Sequence, residues 1–142
     1  MSRLAVQHWV ASLETTIDPP VGVNNFYNLL RVGHTHVFAA ETEFPATLPR
    51  MDVFARFVNG TGTGEFEIRL SWLDAPEGRR RIETYGPFRV AFRQGEPLRD
   101  WVFRLLHLQL DGSGRYRLDL RVMKSRRRKL LATEYFYVVR LP

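Results

Sequence analysis

His107–Arg140 reads HLQLDGSGRYRLDLRVMKSRRRKLLATEYFYVVR, and its centre alternates with period two. Tyr116, Leu118, Leu120 and Val122 take turns with Arg115, Arg117, Asp119 and Arg121. Such alternation specifies a strand with one buried and one wet face. Asp111-Gly112-Ser113-Gly114 supplies turn chemistry before it. Lys124-Ser125-Arg126-Arg127-Arg128-Lys129 is too polar to bury, and Leu131 to Val139 is again β-branched and aromatic. The stretch predicts a meander in which a basic loop joins two core strands.

The rest of the chain repeats this grammar. Leu4 to Leu13 predicts a first strand, with a short helix as the alternative. Asp18-Pro19-Pro20-Val21-Gly22 predicts a loop, because consecutive prolines forbid helix and disfavour a central strand. Asn25 to Val32 and His34 to Glu41 predict further strands, and Pro45 and Pro49 bracket an extended segment. Arg50 to Val58 is apolar on both faces, with Met51, Val53, Ala55 and Phe57 on one and Phe54 and Val58 on the other. It predicts an interior strand, paired as a hairpin with Glu65 to Leu73 across the turn Asn59–Gly64. Gly86-Pro87 breaks Arg79–Tyr85 from Phe88–Phe92. In Trp101 to Leu110 the apolar phase shifts, which predicts a β-bulge near Leu105-Leu106. About eight short strands, spaced by about 8–12 residues and separated by turns, define an all-β class. The expected fold is a single antiparallel β-sandwich over residues 1–142, with jelly-roll and immunoglobulin-like strand orders both open.

Composition narrows the function classes. The 142 residues suffice for one core. With no cysteine, disulfides, thiolate metal sites and a cysteine nucleophile are excluded. No apolar run approaches the ~18 residues of a membrane span, so a cytoplasmic protein without a membrane partner is expected. The net charge of +6 is concentrated. Arg115 to Arg140 holds nine basic residues and two acids, and the rest of the chain is close to neutral. Such asymmetry marks an anion-binding surface. Nineteen of the 21 basic residues are arginine, so a compositional bias toward arginine is the competing explanation.

Three segments, Asn28-Leu29-Leu30-Arg31-Val32-Gly33, Phe44-Pro45-Ala46-Thr47-Leu48-Pro49-Arg50 and Val53-Phe54-Ala55-Arg56-Phe57, resemble small uncharacterised bacterial β-sandwich proteins, the domains of unknown function. In those a Gly-x-Tyr strand and an aromatic strand close the chain, as Gly114-Arg115-Tyr116 and Tyr135-Phe136-Tyr137 do here. The resemblance implies a fold and brings no activity or catalytic residue. His34-x-His36 followed by Glu41 is similar to part of the cupin motif, whose fourth ligand is a later histidine, here His107. The glycines that flank that motif in cupins are missing from their places.

Two site hypotheses follow from these residues. Arg115, Arg117, Arg121, Lys124, Arg126, Arg127, Arg128 and Lys129 form a candidate surface for an anionic polymer such as nucleic acid, and Tyr135 and Tyr137 would stack bases if exposed. His34, His36, Glu41 and His107 form a candidate metal set for a cupin-like enzyme. Other constellations are structural. Gly60-Thr61-Gly62-Thr63-Gly64 lacks the Lys-Ser/Thr of a phosphate loop and reads as a turn. Glu41/Glu43 and Glu65/Glu67 are same-face acid pairs of the kind that usually face solvent. Ser113 does not sit in a nucleophile elbow. The expectation is a non-enzymatic binding or assembly domain that needs no cofactor, with an unidentified protein or a second copy as partner.

Overall fold

The computed structural model describes residues 3–21, 24–32, 35–78 and 81–142, and for residues 12–32 the backbone alone. The described residues form nine strands and no helix: β1 (Ala5–Val21), β2 (Asn24–Val32), β3 (Thr35–Phe38), β4 (Ala46–Val58), β5 (Thr63–Trp72), β6 (Ile82–Ala91), β7 (Leu98–Leu110), β8 (Gly114–Lys124) and β9 (Arg127–Arg140). One sheet has the order β2-β1-β4-β7 and the other β3-β9-β8-β5-β6. All pairings are antiparallel except that of β3 with β9. The all-β sandwich class expected from the alternation is the class found.

The core lies between the sheets. Met51, Val53, Ala55 and Phe57 from β4 are fully buried and meet Phe66 and Ile68 of β5 and Leu118 and Leu120 of β8 in one apolar cluster. Trp9 fastens the layers as well as filling space. Its ring meets Phe103 edge-on at 6.0 Å, and its indole N–H donates to the Leu118 carbonyl of the opposite sheet at 3.3 Å. Tyr116 closes the corner between β7 and β8. Its hydroxyl donates to the Gly112 carbonyl at 2.6 Å and accepts from the Gly112 N–H at 3.1 Å. Burial pushes the Tyr116 phenol up to about 12.

Four local expectations need correcting. First, β4 and β5 belong to different sheets, so the Gly-Thr-Gly-Thr-Gly segment arches between layers instead of closing a hairpin. Second, β1 runs through Pro19-Pro20 to Val21. Beyond Ser12 it pairs with β2 and no longer with β4, which leaves one flank free of ladder bonds, and on the other flank the β1–β2 register shifts between Asp18 and Val21, where the two prolines fall. Third, β6 runs through Gly86-Pro87, which form a bulge on an edge strand between the pairs Phe66↔Phe88 and Ile68↔Tyr85. Gly86 is at φ 118. A Cβ there would sit 2.9 Å from the Phe66 carbonyl oxygen, so only glycine fits.

Fourth, the phase shift in β7 is not a bulge. The pairing of β4 with β7 keeps one register from Val58↔Leu98 to Ala46↔Leu110. His107 takes φ 55 instead, and after it Leu108 and Leu110 return to the core beside Phe103 and Leu105, while Leu106 points to solvent. A left-handed residue turns the pleat over without adding a residue to the strand. The break falls opposite Pro49, which has no N–H to give to a ladder.

Candidate binding surface

The outer face of the second sheet carries the alternate residues of β8, Arg115, Arg117, Asp119 and Arg121, against those of β5, Glu67, Arg69 and Ser71. On this face acids are buried under arginine stems. Glu67 is 6% exposed and lies 3.4 Å from an Arg121 nitrogen and 3.2 Å from Arg128 Nε. Asp119 is 7% exposed; it accepts from the Thr133 hydroxyl at 2.8 Å and has Arg117 Nε at 3.1 Å. The Arg117 Nε–H is misaligned for a hydrogen bond, so that contact is an ion pair only. Arg115 binds Asp74 through its backbone N–H at 2.6 Å and its guanidinium at 2.9 Å, and these bonds hold the Asp74 carboxyl below the usual range.

The eight predicted basic residues therefore divide in two. Arg115, Arg117, Arg121 and Arg128 are engaged by Asp74, Asp119 and Glu67. Lys124, Arg126, Arg127 and Lys129 form no ion pair with any described residue. The segment that carries them is also tighter than the six-residue loop expected. Lys124 pairs with Arg127 and Val122 with Lys129, leaving a two-residue turn at Ser125-Arg126 with Ser125 at φ 52. Residues 124–130 are all exposed, so the tip extends past the last core layer at Val122. The result is four cations on a short, strand-paired scaffold, with no carboxylate among the described residues to neutralise them.

At the other end of β9 the same face is apolar. Tyr135, Tyr137 and Val139 alternate outward, Val37 of β3 pairs with Val139, and each of the four is more than 40% exposed. The tyrosine face on which base stacking depends is thus accessible. It lies beside Arg115 and Arg117, the cross-strand partners of Tyr137 and Tyr135.

The described members of the candidate metal set lie apart. His34 lies outside the described residues. His36 on β3 meets Phe136 edge-on at 5.3 Å, its Nε2 is buried without a hydrogen-bond partner among the described residues, and burial pushes its pKa down. Glu41 is exposed in the turn after β3, and His107 is exposed on β7 of the other sheet. Among the described residues no three histidine, aspartate or glutamate side chains gather as metal ligands would. Of the acid pairs, Glu65 lies 3.4 Å from Arg89 and Glu67 sits between its two arginines.

Sequence reasoning missed one cluster on the opposite face. Asp52 is fully buried, bound by Arg50 at 3.1 and 2.7 Å and by Arg104 at 3.2 Å. Arg50 at position i−2 was a readable signal, since it shares a strand face with Asp52. Arg104 reaches Asp52 only through the β4–β7 pairing. No protein-family model matches the chain, and no curated protein matches it significantly.

Proposed function

We propose that this protein is a non-enzymatic binding module that holds an anionic polymer, such as single-stranded nucleic acid, at the tip of the β8–β9 hairpin. One observation carries the reading: Lys124, Arg126, Arg127 and Lys129 stand exposed on a tight turn with no acidic partner among the described residues, while the arginines behind them are engaged by buried or paired acids. Uncompensated cations release counterions from a polyanion when they bind it, and that is the dominant source of affinity in such contacts. Fluorescence anisotropy with a labelled oligonucleotide tests it. Replacing the four tip residues by serine abolishes binding, and Arg115→Ser with Arg117→Ser leaves most of it. The reverse ranking would move the site off the tip.

A second reading, assembly through a protein contact, is favoured by the exposed strip of Val37, Tyr137 and Val139 at the short edge strand β3. It predicts a dimer or larger species by light scattering that Tyr137→Ser with Val139→Ser returns to a monomer. A wild-type monomer at every concentration counts against self-association.

A further inference from the structure

We infer that the cleft between the β4–β5 and β6–β7 connections is a binding site for a neutral saccharide. This site is separate from the hairpin tip. The two connections are tied to each other: the Asn59 N–H donates to the Pro97 carbonyl at 3.1 Å, and the Phe92 N–H to the Gly62 carbonyl at 2.8 Å. Between them lies a solvent-open cavity of about 810 Å³, within the range of small-molecule sites.

Phe92 lines it, partly buried and held edge-on against Phe57 at 5.5 Å and Phe66 at 6.2 Å. The ring reaches this place because residue 60 is glycine. A Cβ at Gly60 would lie 2.1 Å from Phe92 Cδ1. The glycine-rich segment thus packs against the ring, and the two together form one apolar wall of the cleft.

The rim is polar and balanced in charge. Thr61 and Gln94 line it, and Arg93 and Glu96 face each other loosely at 3.8 Å. It offers hydroxyl, amide, guanidinium and carboxylate groups, donors and acceptors together. A pyranose presents the complementary chemistry: an apolar C–H face for the aromatic ring and a girdle of hydroxyls that both donate and accept. An anion would meet Glu96, and a purely apolar ligand would leave the rim groups desolvated and unpaired.

Titration of isotope-labelled protein with methyl glucoside, methyl galactoside, methyl mannoside and N-acetylglucosamine, followed by backbone amide shifts, tests the assignment. At least one sugar gives saturable shifts confined to residues 60–62 and 92–97, with a dissociation constant on the order of 1 mM. Gln94→Ala with Glu96→Ala, both exposed and outside the core, weakens binding by about five-fold or more. Phe92→Ala abolishes it, and the exposed pair keeps the test decisive if the loss of Phe92 unfolds the domain. Three results overturn the inference: no saturable shift with any of these sugars, undiminished affinity in the Gln94/Glu96 variant, or cyclohexanol binding as tightly as the best sugar.

Discussion

At the scale of single residues, buried acids organise both outer faces. Asp52 is taken wholly out of water, and its desolvation is offset by the forked bond from Arg50 and the single bond from Arg104. Asp52→Asn keeps the shape and loses the charge that both guanidinium groups bind. It lowers stability by about 2 kcal/mol in urea denaturation. Arg104→Ala costs less than about 1 kcal/mol, because that side chain is half exposed and gives one hydrogen bond. His36 adds a pH dependence. Burial lowers its folded pKa below the ordinary 6.5, so on acidification the unfolded chain takes up the proton first. The His36 contribution is complete above about pH 6.5 and declines as pH falls below that value toward the folded pKa. His36→Phe removes this component, so its urea midpoint falls less than the wild type's between pH 7.5 and pH 5, both values chosen as about one unit or more from 6.5. An equal fall in the two proteins would place the acid sensitivity elsewhere.

At the scale of elements, the β8–β9 hairpin was the most legible part of the chain. Tyr116, Leu118, Leu120 and Val122 are all buried, as their period-two spacing requires. Its turn was less legible. Six polar residues read as a loop, yet backbone pairing continues to Lys124↔Arg127 because exposed strand ends tolerate charged side chains. The tight turn places Ser125 in the left-handed region at φ 52, where a side chain is strained. Ser125→Gly relieves that strain and raises stability by about 0.5–1 kcal/mol, read from a thermal or urea transition. A loss of stability would mean that the serine side chain holds the turn. The β4–β5 hairpin was misread for a related reason. Local alternation identifies each strand but does not say whether a glycine-rich connection folds back within a sheet or crosses to the other layer. In β7 the phase shift was visible in the sequence, but a bulge and a left-handed residue leave the same pattern. The unbroken β4–β7 register separates them.

At the scale of the whole molecule, the fold class was readable because both sheets obey one simple alternation, and a shared core collects the inward set. The candidate site was readable only in part. The charge excess of Arg115 to Arg140 is a property of sequence, but which cations are free depends on where the acids lie. Glu67 and Asp74 come from β5 and the turn after it, more than 40 residues before the arginines they engage. Those two acids engage Arg115, Arg121 and Arg128, Asp119 on the same strand engages Arg117, and the cations without an ion pair to any described residue are the four at the hairpin tip. We propose that this cluster holds a polyanion by charge. The salt dependence of oligonucleotide binding tests it most directly. Four cations meeting a single strand give a slope of log affinity against log salt of about −3. The wild type gives that slope, and the variant with serine at 124, 126, 127 and 129 gives a slope near zero. Unchanged slopes in the two proteins would contradict it.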